Sequence, residues 1–211
     1  MQSWFARLGA VALAAFAAAY SAHSVKAADF GLPAASWLAP VAGADPANRF
    51  EARFGVFAHG VGGVEGVTAS FQAEMVTPRV FDVGGPWAFL LPRVHAGGSV
   101  HFSGLTNFAY TGLLWTFPTY SGIFTELFVG PAIHDGELLR TATRAGLGCE
   151  LLFHAGANVG YRINETWSVM ATFEHLSNGK RMFNRDCGTN AARFGTNDGL
   201  NNYGMRVGYS F

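Results

Sequence analysis

Beyond its first 27 residues the chain has no uninterrupted apolar run long enough to cross a bilayer as a helix, although half of its residues are hydrophobic. It also lacks an excess of either charge. Its 14 basic and 14 acidic residues balance, so the positive footprint of a nucleic-acid-binding protein is missing. Cysteine is scarce, with two in the chain and no CxxC spacing, which disfavours a local thiolate metal site. What is present is hydrophobicity without helical spans, together with 27 Gly and 19 Phe. Because lipid cannot satisfy backbone N–H and C=O groups, a membrane protein without spanning helices has one other form, the closed β-barrel.

Residues 1–27 read as a secretory signal peptide: Arg7 near the start, an Ala/Leu/Val-rich run from Leu8 to Ala19, and Ser24-Val25-Lys26-Ala27 before a cut at Ala28. An N-terminal anchor is the alternative, but the apolar run is short for a span. Residues 28–211 are then one outer-membrane barrel domain.

Period-two alternation supports this class, since a barrel strand turns apolar side chains outward and polar or small ones inward. Val67, Ala69, Phe71, Ala73 and Met75 alternate with Thr68, Ser70, Gln72 and Glu74. Similar patterns run through Phe50–Ala58, Val94–Phe102 and Glu150–Tyr161. Segments around 110–117 and 123–133 alternate more weakly but are rich in aromatic and β-branched residues. Trp167–Leu176 and Asn201–Phe211 complete an all-β, eight-stranded antiparallel transmembrane barrel. Side chains fill the interior of so small a barrel, which disfavours a pore. His95, His101 and His154 face inward and read as hydrogen-bonding groups rather than metal ligands.

With both ends of the barrel in the periplasm, the short turns at 118–122 and 164–166 are periplasmic, and the long segments 134–148 and 178–199 extracellular. The connection 77–92 is long for the periplasmic side. Its Pro, Gly and aromatic content suggests an interfacial segment. The ending Tyr209-Ser210-Phe211 resembles the terminal signature by which barrels are recognised for outer-membrane assembly. Cys149 and Cys187 both fall extracellularly, and an exported chain with an even count favours a disulfide between them. A reactive or metal-binding thiol pair is the alternative.

One cluster has the residue types for chemistry. By parity His175 and Ser177 share the outward face of Trp167, Val169, Ala171 and Phe173, and Asn201 lies on the outward face of the last strand. A serine, a histidine and a third polar group that fixes the imidazole supply nucleophile, base and orienter for acyl transfer. Polar residues that merely meet the headgroups are the alternative. The sequence His175-Leu176-Ser177-Asn178, on the penultimate strand and followed by a Gly/Asx-rich return to a final strand ending in Phe, resembles the lipid A 3-O-deacylase (PagL-type) family. The resemblance is strongest over 155–211. It implies His175 as base, Ser177 as nucleophile and Asn178 as an oxyanion donor, with lipid A or lipopolysaccharide as substrate and no cofactor or metal.

This chain departs from the family in two places. Where the family has an acidic third member the chain has Asn201, an amide that orients an imidazole but stabilises imidazolium less than a carboxylate does. Its loop after Asn178 is also longer and carries Lys180, Arg181 and Arg185, cations suited to lipid A phosphates. The expected function is an outer-membrane serine esterase that removes a 3-hydroxyacyl chain from lipid A. Its partners would be lipopolysaccharide, the surrounding outer-membrane lipids and a second copy in a homodimer. A non-catalytic barrel that binds lipopolysaccharide is the competing reading. A metal-dependent lipid A oxidase is a third, for which the sequence shows no outward His/Asp/Glu cluster.

Overall fold

The computed structural model describes residues 46–81, 88–118, 122–179 and 198–211. The 1–27 segment and residues Lys180, Arg181, Arg185 and Cys187 lie outside them. Eight strands form a closed antiparallel barrel in chain order: β1 (Glu51–His59), β2 (Thr68–Arg79), β3 (Arg93–His101), β4 (Phe108–Pro118), β5 (Ile123–His134), β6 (Leu151–Arg162), β7 (Trp167–Ser177) and β8 (Leu200–Ser210). β1 closes the ring by pairing with β8. Among the described residues no helix is long and apolar enough to cross a membrane.

Strand parity follows the alternation in the sequence. Val56, Val100, Leu127, Val159 and Met205 are each more than half exposed on the outer wall, where lipid replaces water and exposure has no hydrophobic cost. Their neighbours in sequence face a packed interior. Several inward glycines make room there for aromatic rings: a Cβ on Gly160 would sit 2.7 Å from Cε1 of Phe124, and one on Gly97 would sit 2.7 Å from Oη of Tyr110. Alternating large and small inward residues fill a narrow barrel.

The rest of the interior is a continuous polar network. Arg53 donates to Glu126 at 2.8 and 2.9 Å and to Glu51 at 2.8 Å. Arg206 donates to Glu74 at 2.9 Å and to Gln72 at 2.6 Å. Glu174 accepts from Gln72, Asn202 and His154. His95 meets Glu74 at 2.6 Å, and His101 meets Thr68. His95, His101 and His154 are therefore hydrogen-bonding groups within the barrel.

The 77–92 connection is shorter than the alternation implies, because β2 continues to Arg79, which pairs with Arg93 across a register shift after Val76. Thr77 sustains the pairing, its hydroxyl accepting from Val94 N–H and its carbonyl from Arg93. A short 3₁₀ turn, Ala88–Leu90, then packs Phe89 against Phe117, and Leu90 O accepts from the Trp115 indole. At 163–166, Asn164 Oδ1 accepts from the backbone N–H groups of Thr166 and Trp167 and so closes a tight turn.

At the opposite end, where the long loops emerge, the polar interior gives way to an apolar plug of Phe108, Tyr110, Ala132, Ala145, Leu147, Cys149, Leu152, Leu176 and Leu200. The loop carrying Ala145 and Leu147 is itself ordered by backbone pairing: Leu147 N–H to Glu137 O, Gly148 N–H to Leu138 O, and Thr141 N–H to Arg144 O. Glu65, in the β1–β2 connection, fastens this loop down. Its carboxylate lies 3.1 Å from His59 Nε2 and accepts from Thr106, Arg144 and the Ala145 N–H.

Burial alone would raise the Glu65 pKa, but hydrogen bonds from His59, Thr106 and Arg144 outweigh it and hold the group at about 2. Since the folded value lies below that of the unfolded chain, Glu65 contributes its full stabilisation above about pH 4.5, and the contribution is lost as pH falls towards 2. Glu65→Gln is expected to speed hydrogen exchange at the amides of Ala145 and Leu147 by about 5- to 100-fold at neutral pH. The same amides in the unsubstituted protein should stay protected at pH 5 and open near pH 2. Equal exchange in the two proteins at pH 7 would show that Glu65 does not hold the loop.

Candidate active site

His175, Leu176 and Ser177 end β7, and Leu200 and Asn201 begin β8, with His175 paired to Asn201 and Leu176 to Leu200. Leu176 and Leu200 are buried side by side in the plug, which anchors the rim from inside. His175, Ser177 and Asn201 consequently point outward and are half-buried. The His175 Nδ1 to Asn201 Oδ1 distance is 2.7 Å. An amide oxygen only accepts, so Nδ1 carries the proton, and in the neutral ring Nε2 keeps its lone pair. Ser177 lies two residues on along the same face, its Cα about 6.5–7 Å from that of His175, and it pairs across the sheet with Phe153.

At the Cε1–Nε2 edge of the ring is Gly199, which has a positive φ of 64°. A Cβ there would lie 2.9 Å from Cε1 and 3.5 Å from Nε2 of His175. The imidazole is thus bonded to Asn201 and flanked by a glycine that no larger residue could replace without strain. The sequence reading missed this contact, although the Asp198-Gly199 turn immediately before β8 was its visible signal.

Asn178 differs from its neighbours. It is buried on the inward side, and its Nδ2 donates to Leu147 O at 3.0 Å. Cys149 is buried in the plug at the head of β6. Among the described residues no group of three or more His, Cys, Asp and Glu side chains could hold a metal ion.

A barrel of this size, with a His–Asn pair and a serine on its outer wall at the loop end, has polar groups where acyl chains of a bilayer would lie. The model of the lipid A 3-O-deacylase (PagL) family matches residues 65–210. The chain belongs to that family and is a protein of the bacterial outer membrane. In fold it is similar to the outer membrane enzyme PagL, with 17% identity and a TM-score of 0.52 over 75% of this chain and 97% of that one. It is also similar to the N-terminal β-barrel domain of Pseudomonas aeruginosa OprF, with 12% identity and a TM-score of 0.50 over 78% and 98% of the two chains. No curated protein matches the chain in sequence.

Proposed function

We propose that the protein is a serine esterase that hydrolyses the ester linking a 3-hydroxyacyl chain to lipid A. The observation that carries this reading is the 2.7 Å contact of His175 with Asn201 on the outer wall, beside Ser177 on the same face. His175 Nε2 takes the Ser177 proton as Oγ attacks the acyl carbonyl. The bond between the acyl carbon and the sugar oxygen then breaks, and the imidazolium gives its proton to that leaving oxygen, which departs as the sugar hydroxyl. Water, activated by the same imidazole, releases the 3-hydroxy fatty acid. The substrate's acyl chains already lie along the apolar wall, so no enclosed pocket is required.

Asn178, which follows the nucleophile, would stabilise the oxyanion. Lys180, Arg181 and Arg185 would contact the phosphates. A Cys149–Cys187 disulfide would fasten the loop that carries them, and residues 1–27 would be removed on export. Base, nucleophile and orienter come from one chain, so the chemistry does not need the homodimer.

The neutral Asn201 favours one second reading, a barrel that binds lipopolysaccharide without cleaving it. Purified protein incubated with lipid A, followed by mass and by released fatty acid, separates the two. Loss of one 3-hydroxyacyl group supports the esterase, and unchanged lipid A in both detergent and bilayers supports the binder. Restoring a carboxylate with Asn201→Glu is expected to raise kcat about 10- to 100-fold by stabilising imidazolium. A Glu variant no faster than the unsubstituted protein would show that Asn201 is not the third member.

A further inference from the structure

Two residues that flank the reactive pair are held by the same short piece of another loop. Asp198 precedes the glycine that touches the imidazole, and Asn178 follows the nucleophile. Gly146 N–H donates to Asp198 Oδ2 at 2.9 Å, and Asp198 N–H donates back to Gly146 O at 3.1 Å. Asn178 Nδ2 donates to the next carbonyl, Leu147 O, at 3.0 Å. Arg140, from the same loop, adds a contact of 3.1 Å to Asp198 Oδ1. Residues 145–149 are buried throughout, and Glu65 fixes Arg144 and Ala145 from the barrel side.

We infer that Gly146–Leu147 is a bracket that holds Gly199 against the His175 imidazole and Asn178 in place beside Ser177, with Asp198 as its positioning residue. The inference rests on the esterase reading and deepens it. Each end of the 180–197 connection is gripped beside the strand residue that matters, Gly199 against the base on one side and Asn178 next to the nucleophile on the other. With the ends fixed by residues 146 and 147, the length of that connection need not alter the catalytic geometry. The carboxylate of Asp198 is spent on Gly146 and Arg140 and is not a substitute for the missing acidic member. Its effect on the chemistry passes through the backbone of Gly199.

The test uses the full folded barrel in detergent micelles, with kcat and KM on lipid A and the solvent exchange of the His175 Nδ1–H proton read by NMR. Asp198→Ala is expected to lower kcat about 10- to 100-fold, as for a small misplacement of a catalytic group, with KM changed less than twofold. The Nδ1–H proton should exchange at least about tenfold faster as the ring loses its support. Asp198→Asn keeps the side-chain volume while weakening both bonds, and is expected to lower kcat about three- to tenfold. Wild-type kcat and wild-type exchange in Asp198→Asn would overturn the bracket even if Asp198→Ala failed to fold. Should the unsubstituted protein leave lipid A intact, the esterase reading fails, and Nδ1–H exchange in the two variants still decides whether Asp198 holds the imidazole.

Discussion

Ser177→Ala is expected to abolish release of the 3-hydroxyacyl chain, lowering kcat by about 10⁴-fold or more, while leaving the barrel intact. Ser177 is half-buried at the last position of β7, so losing one oxygen disturbs little packing, and its backbone pairing with Phe153 is unaffected. His175→Ala should cost a similar factor, because without Nε2 the hydroxyl has no proton acceptor. The double variant should be no slower than either single one. In the proposed mechanism nucleophile and base act in one step, so that removal of either already leaves only what binding and oxyanion stabilisation supply. Mass analysis of lipid A and quantitation of free 3-hydroxy fatty acid read the result, with the altered electrophoretic mobility of the unheated protein as the check on folding. Activity in Ser177→Ala within tenfold of the unsubstituted protein would exclude it as the nucleophile.

Strand parity was legible because two different environments enforce it. Lipid on one side demands apolar groups at Val56, Val159 or Met205, and the packed interior on the other admits Glu, Arg and His only in mutual contact. The inward histidines could be assigned for the same reason. Parity alone also brought His175, Ser177 and Asn201 to one wall, and the 2.7 Å contact between His175 and Asn201 is what antiparallel pairing of β7 with β8 produces.

The bracket was not legible. Gly146 and Asp198 are 52 residues apart, and Gly146 takes part through its backbone N–H and C=O alone, where neither residue type nor period carries a signal. The extent of β2 was missed for a related reason. A register shift after Val76 interrupts the alternation while the ladder continues to Arg79. Asn178, one position beyond Ser177, falls by parity on the inward side, and there its amide meets Leu147.

The interior network predicts the largest effect on stability. Arg53 is fully buried and faces three carboxylates, Glu51 and Glu126 at 2.8 Å and Glu74 at 3.7 Å. Two of the three have other cations. Glu51 keeps Arg93 at 3.2 Å and Glu74 keeps Arg206 at 2.9 Å. Among the described residues the remaining hydrogen-bond donors to Glu126 are neutral, Thr116 and Asn158, and Arg93 acts on it only through space. Arg53→Met should therefore destabilise the barrel by about 3–5 kcal/mol, chiefly through the unpaired charge on Glu126. Adding Glu126→Gln removes that charge and should recover about half of the loss, whereas adding Glu51→Gln should recover much less. Arg53→Lys should also destabilise, because one ammonium cannot reproduce the forked contacts to Glu126 and Glu51. Urea-driven unfolding from lipid vesicles, followed by tryptophan fluorescence, measures these differences. Equal recovery by Glu126→Gln and Glu51→Gln would mean that the cost of losing Arg53 is spread over the network and does not fall chiefly on Glu126.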